Sequence, residues 1–371
     1  MNILIIGNGF DIAHDLKTSY KDFLECCKNK DYKEYCETNL WMKHFLTRQK
    51  ELGDTWIDLE NEIYRVICIL KEIPAIRNGG VVTRLCPQLL TLPENVYNFS
   101  FNKLETYLRK PNKKFDTSKK DYLSNIPPTF AGDFCVYIET PNGFINFLYD
   151  QLREFTKVFD DYLNNNVILK QYNKSKYILS LFPNSQQHRD SDVYVLSFNY
   201  TDTCEKLYNG YYNSYGKFNI KSYYVHGKVC NSDECNLVLG THSFDNNRTS
   251  SNTNPIPVDF NVFKKHNQRH RYGTIESYQN LLQQLSLPGR IIKPVFHVIG
   301  HSLDKTDHNI LKHIFLINKN AKINVYYHNE ESQERLINNI TEIIGEEEVM
   351  TKVRLIYQHD ENRGILRFVE Q

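Results

Sequence analysis

Apolar positions follow two regimes along the chain. It opens with Ile3, Leu4, Ile5 and Ile6, an unbroken apolar run that leads straight into Gly-Asn-Gly. A short, largely β-branched run of this kind suits a strand covered on both faces, as in a parallel sheet. From residue 20 to 75 the spacing lengthens to three and four, in "SYKDFLECC", "LWMKHFLTRQKEL" and "TWIDLENEIYRVICIL". In the last of these Trp56, Leu59, Ile63, Val66, Ile67 and Leu70 share one side, so helices are predicted. Residues 76–130 read as irregular, with prolines at 87, 93, 111, 127 and 128 and the charged stretch "LRKPNKKFDTSKKD". A helix returns over 142–166, and "FPNSQQHRDSD" reads as a surface loop.

Beyond residue 190 short strands alternate with helices. "DVYVLSFNYTD" reads as a strand and a helix start, and "SYYVHGKV" and "NLVLGTH" as two more strands. "HNQRHRYGTIESYQNLLQQL" is helical after a basic start, and "PVFHVIGHSLDKTDHNILKHIFL" is strand, turn, helix. "KINVYYHN", "EESQERLINNITEIIG" and "VRLIYQH" complete a strand–helix–strand series. The alternation predicts an α/β protein with a parallel sheet. Residues 1–20 and 190–371 would form its core, with 21–189 as a large, mainly helical insertion after the first strand.

Composition narrows the picture. Of 371 residues, 45 are Lys or Arg and 44 are Asp or Glu, a net charge of +1. Nothing global therefore draws the chain to nucleic acid or to an anionic membrane. No apolar run approaches the roughly 20 residues of a spanning helix. With Met1 leading directly into a core strand, no signal peptide is expected. The nine cysteines are scattered and odd in number, so free thiols and a cytoplasmic location are expected.

Open α/β sheets bind ligands beyond the carboxyl ends of their strands. Four predicted exits are short and polar: Gly7–Asp11, Ser197–Asp202, His226-Gly227, and Gly300–Asp304. Four such exits point to one shared pocket. Gly7 and Gly9 permit a sharp turn and the close approach of a ligand. A helix starting near Asp11 would present its N–H groups to a phosphate. The alternative is a bare strand-to-helix turn, because Ile12 stands where a dinucleotide motif has its third glycine. Asn199 offers a donor and an acceptor, and His226 a group that exchanges protons near neutral pH. Thr201, Asp202, Asp304 and Asp307 read as helix caps, with ribose hydroxyls as the alternative for the last two. Asp58 and Glu62 share a helix face that reads as solvated, while Glu60 faces elsewhere and stays open as a pocket residue. "KKHNQRHRYG", residues 264–273, reads as a solvated basic loop, with contact to phosphate or RNA as the alternative.

"ILIIGNGFDIAHDLKTSYKDFL", "WIDLE", "SFNYTDTCEKLY", "VHGK", "LVLGTH" and "IGHSLDKTDHNIL" together resemble the bacteriophage abortive-infection protein family AbiH. The resemblance runs from residue 3 to residue 311 and implies a role in anti-phage defence. The same order is similar, more distantly, to sirtuin-like NAD-binding domains, which implies a Rossmann-like fold with NAD as substrate or ligand. By that similarity Gly7, Asn8, Gly9 and Phe10 would hold the diphosphate and cover the nicotinamide ribose. Asn199, beside Tyr200, would position water or the ribose. His226, beside Gly227, would act on a ribose hydroxyl, and Asp11 would steady positive charge. Gly300, His301, Ser302 and Asp304 would reach the adenosine side. The implied reaction is hydrolysis of NAD to nicotinamide and ADP-ribose. Two departures stand out: the acid of the Asn-Tyr-Asp element is displaced to Asp202, and Cys-x-x-Cys pairs are absent, so no metal is expected. Two further functions remain open: a nucleotide sensor answering a phage-derived trigger, and a toxin that cleaves nucleic acid. A homo-oligomer remains open as well.

Overall fold

The computed structural model describes residues 1–28, 32, 35, 39–53, 58–71, 141–167, 178, 190–210, 212–213, 216–230, 235–242, 259–286, 293–317 and 319–357. The stretch read as irregular, 76–130, and Trp56 lie outside these residues. Strand β1 is Asn2–Ile6, β2 Asp190–Ser197, β3 Tyr212–Asn213, β4 Gly216–Tyr224, β5 Val295–Ile299, β6 Lys322–Tyr327 and β7 Val353–Tyr357. Among the described residues they form one sheet in the order β3-β4-β2-β1-β5-β6-β7. Six strands run parallel, and β3 folds back antiparallel on β4 as a short hairpin.

The opening apolar run becomes the middle of this sheet. Ile3 and Ile5 join Phe296, Ile310 and Leu336 in the core on one face. Leu4 and Ile6 join Phe10, Tyr208 and Phe218 on the other. Both faces are covered, which is why the run shows no polar alternation. Ranked by position in the chain, the parallel strands lie third, second, first, fourth, fifth, sixth. Strand progression therefore reverses between β1 and β5, which leaves a switch point at their carboxyl ends.

The helices are α1 Asn8–Ala13, α2 Tyr20–Cys27, α3 Leu40–Glu51, α4 Leu59–Lys71, α5 Pro141–Asn166, α6 Thr203–Tyr208, α7 Lys265–Arg271, α8 Thr274–Leu285, α9 His308–Leu316, α10 Glu330–Ile344 and α11 Glu346–Lys352. None of the described helices is long and apolar enough to cross a membrane. The chain divides into two compact units: 1–19 with 160–238 and 269–371, which hold the sheet, and 20–159 with 239–268. In the second unit Phe155 packs edge-on against Phe23 and Phe45, and Trp41 lies against Phe263. The Trp41 indole N–H donates to the Leu148 carbonyl at 2.8 Å.

Several local expectations need correction. "SYYVHGKV" is not one strand: β4 ends at Tyr224, and Gly227, at φ +82°, turns the chain into a left-handed conformation. "NLVLGTH" is not a strand either, and only Thr241 makes an isolated bridge, to Lys264. Its Leu237, Val238 and Leu239 are apolar because they are buried, not because they pair in the sheet. Of the stretch 182–192, read as a surface loop, residues 190–192 are strand and 182–189 lie outside the described residues. The predicted solvated face of α4 is also wrong for Glu62, which is buried and accepts from His44 Nε2 at 3.1 Å, Arg48 Nε at 3.2 Å and Arg65 Nε at 3.1 Å. Burial alone would raise the Glu62 carboxyl, but the His44 hydrogen bond and the two arginines outweigh it and hold it at about 2. Asp58 caps the helix start through the Asn61 N–H at 3.0 Å. Glu60 pairs with the buried Lys265 ammonium at 2.7 Å. The basic stretch is therefore no solvated loop: Lys265 and Arg269 are internal residues of α7.

Candidate functional site

The four polar exits lie along the carboxyl edge of the sheet unit. Helix α1 starts at Asn8, not near Asp11, with Gly7 as its N-cap, and it is only six residues long. The Gly7 N–H donates to the Ile299 carbonyl at 3.2 Å, and the Gly9 N–H to the Gly300 carbonyl at 2.9 Å. A Cβ on Gly7 would lie 2.6 Å from His301 Cα, and one on Gly300 would lie 2.2 Å from the Phe10 nitrogen. The β1 and β5 exits thus meet backbone to backbone, and this contact accounts for the glycines. Phe10 is fully buried, 4.4 Å from the His14 ring and beside Tyr208. Asn8 is exposed, and its carbonyl oxygen accepts from the Thr18 hydroxyl at 2.6 Å.

Asp11 belongs to the first of two buried polar groups. One of its carboxyl oxygens accepts a short hydrogen bond from the Thr201 hydroxyl, and Thr203 donates to Thr201 Oγ1 at 3.1 Å. The other oxygen, Oδ1, has no partner. Asn199 is buried close by, near enough to pull on the Asp11 carboxyl, but neither its amide nitrogen nor its amide oxygen makes a well-aligned hydrogen bond. Burial pushes the Asp11 carboxyl up to about 6, against the pull of Thr201, Thr203 and Asn199.

The second group centres on Asp307. His226 Nε2 lies 3.0 Å from its Oδ1, Arg269 Nη2 donates to the same oxygen at 2.9 Å, and His301 Nε2 is 3.8 Å from Oδ2. All four side chains are buried. Asp307 takes the His226 Nε2–H, which leaves Nδ1 as the accepting nitrogen, 3.5 Å from Arg269 Nη2. His301 Nδ1 accepts from the Leu303 N–H at 2.9 Å, so its hydrogen sits on Nε2, toward Asp307. The Phe198 ring stands edge-on to both imidazoles, at 5.5 and 4.3 Å. Leu303 is held at φ +57°, rare for a bulky residue, by that bond and by His308 Nε2 on its carbonyl at 3.0 Å.

The remaining predicted residues hold this edge together. The Tyr200 hydroxyl donates to the Val238 carbonyl at 2.9 Å, and the Val238 N–H donates to the His226 carbonyl at 2.8 Å. A Cβ on Gly227 would lie 2.3 Å from the Asn236 carbonyl oxygen. Ser302 is exposed and offers its carbonyl to Asn339. Of the four residues read as caps, only Asp304 caps with its side chain, through the Thr306 N–H at 3.1 Å. Thr201 bonds Asp11, Asp202 pairs with Lys206 and Lys228, and Asp307 forms the centre of the second group.

Sequence reasoning missed Arg269 and the centrality of Asp307. A signal existed for the first, since Lys265 and Arg269 are one helical turn apart and share a face. Beside the Asp11 group a small polar cleft opens to solvent, bounded by Thr201, Asp202, Thr203 and Lys206 and by the apolar Leu163 and Val167.

Among curated proteins none matches this chain. A family model described as "Bacteriophage abortive infection AbiH" matches residues 3–327. The chain therefore belongs to the AbiH family, and with it to abortive-infection defence against bacteriophage.

Proposed function

We propose that this AbiH protein is a defence effector that hydrolyses NAD, or a nucleotide with the same nicotinamide–ribose bond, to nicotinamide and ADP-ribose. The observation that carries the reading is Asn199. Both of its amide atoms are buried without a well-aligned hydrogen bond, beside an Asp11 carboxyl oxygen in the same state. Each such orphan costs about 1–3 kcal/mol. We read these atoms as places for a ligand with matching donors and acceptors. The parallel strand order, with its reversal between β1 and β5, supports reading the sheet as Rossmann-like with a nucleotide at this edge.

The chemistry follows from the groups available. Nicotinamide leaves as a neutral molecule and takes the bonding electron pair, so positive charge develops on the ribose. Ionised Asp11 opposes that charge. The Asn199 amide holds the water that adds to the ribose carbon, and the water's second proton goes to solvent. His226, with its tautomer set by Asp307, accepts a hydrogen bond from a ribose hydroxyl at Nδ1 in place of the long contact to Arg269.

The test is NAD and nicotinamide measured by chromatography in phage-infected cells that carry wild type, Asn199→Ala or His226→Ala. NAD is expected to fall only with wild type. Constant NAD in infected cells that the wild-type protein protects would overturn the reading. A raised melting temperature of the purified protein with NAD, without turnover, would assign the site to sensing instead.

A further inference from the structure

Gly7, Gly9 and Gly300 fill the switch point with their own backbone, so a ligand reaching Asp11 and Asn199 needs another way in. The cleft beside the Asp11 group reaches Thr201 and Thr203, the hydroxyls next to Asp11, though not Asp11 or Asn199 themselves. Thr201 and Thr203 both line it, and their hydroxyls form a chain that runs from Thr203 to Thr201 to the Asp11 carboxyl. The charges at its rim are balanced: Asp202 takes the Lys206 ammonium at 2.9 Å and the Lys228 ammonium at 3.3 Å, and a second carboxylate, Glu205, lies 3.7 Å from Lys228. Hydroxyls, balanced charge and a buried carboxyl suit a hydrogen-donating sugar, and an acid at the end of the chain repels phosphate. Leu163 and Val167, which also line the cleft, suit the apolar face of a ribose or a base.

We propose that this cleft takes the ribose of the nucleotide, with a ribose hydroxyl donating to Thr203 and so joining the chain that ends on Asp11. The inference rests on the nucleotide reading and adds where the sugar sits and which residues select it. When Asp11 is ionised, each hydroxyl in the chain donates toward it, which leaves Thr203 Oγ1 as the acceptor facing the cleft. When Asp11 is protonated that polarity is lost, so sugar binding should weaken as pH falls through the Asp11 titration.

The test is calorimetric titration of the full chain with ADP-ribose and, separately, with inorganic phosphate. Thr203→Val keeps the shape and removes the hydroxyl, and Val167→Trp fills the cleft from its half-buried rim. ADP-ribose affinity is expected to drop about tenfold in the first, the worth of one hydrogen bond, and further in the second. Both variants should keep a cooperative melt, and phosphate should not compete. Unchanged affinity in Val167→Trp, or displacement of ADP-ribose by phosphate, would overturn the cleft assignment while the nucleotide reading stood. A wild-type protein that binds neither ADP-ribose nor NAD would remove both.

Discussion

Asp11 is almost wholly shielded from water, and burial moves its carboxyl from 3.8 to about 6. Between those values the folded protein keeps a proton that the unfolded chain gives up. Its contribution to stability is therefore fully present below pH 4 and is lost as pH rises through 6. Asp11→Asn is neutral at every pH. It should be more stable than wild type at pH 7.5 by about 3 kcal/mol, the worth of two pKa units, with the gain vanishing near pH 4. Urea denaturation of both proteins across that range checks this, and a gain independent of pH would show that burial does not set the titration. An acid behind two glycines was readable from the sequence. Its isolation from water was not, because that depends on Thr201 and Thr203, some 190 residues away.

Turns between elements show a similar division. The sequence places glycines at both the β1 and β5 exits, but their mutual contact appears only when parallel pairing sets β1 beside β5. Gly300 combines φ +64° with backbone 2.2 Å from any added Cβ, whereas Gly53, at φ +74°, faces open space. Gly53→Ala should cost about 1 kcal/mol of backbone strain. Gly300→Ala should cost several times more, because Phe10 cannot yield without moving α1. Thermal melts of the two variants separate the cases, and equal shifts would mean that the exits do not pack as described. Among strands, β1, β5 and β6 were legible from dense apolar runs. The first half of β4 was missed although Phe218 and Ile220 alternate with Lys217, Asn219 and Lys221, the period of two that marks a strand. "NLVLGTH" misled for the opposite reason, since burial without pairing produces the same apolar run.

Across the sheet unit, Asp307 ties the β4 exit, the β5 exit and α7 into one buried charged group. Taking its charge away should cost the unit about 3–5 kcal/mol, because Arg269 stays buried without the carboxylate. Asp307→Asn should therefore melt well below wild type. Asp307→Leu combined with Arg269→Met should recover much of the loss, since an apolar pair of similar volume needs no desolvation. A double variant no more stable than the single one would mean that the group holds the fold by geometry and not by charge balance. None of this coupling is local, which is why a capping role was the natural reading of Asp307 from its sequence neighbours.

The central position of β1 has a consequence for synthesis. The strand leaves the ribosome well before its two neighbours, which begin at Asp190 and Val295. At about 5–20 residues per second, its second neighbour follows roughly 15–60 s later. For that interval Ile3–Ile6 are an apolar segment with an unfilled hydrogen-bonding edge, in need of a chaperone or a provisional partner. A defence response that waited for new translation would spend roughly 15–60 s at the ribosome before the sheet could close.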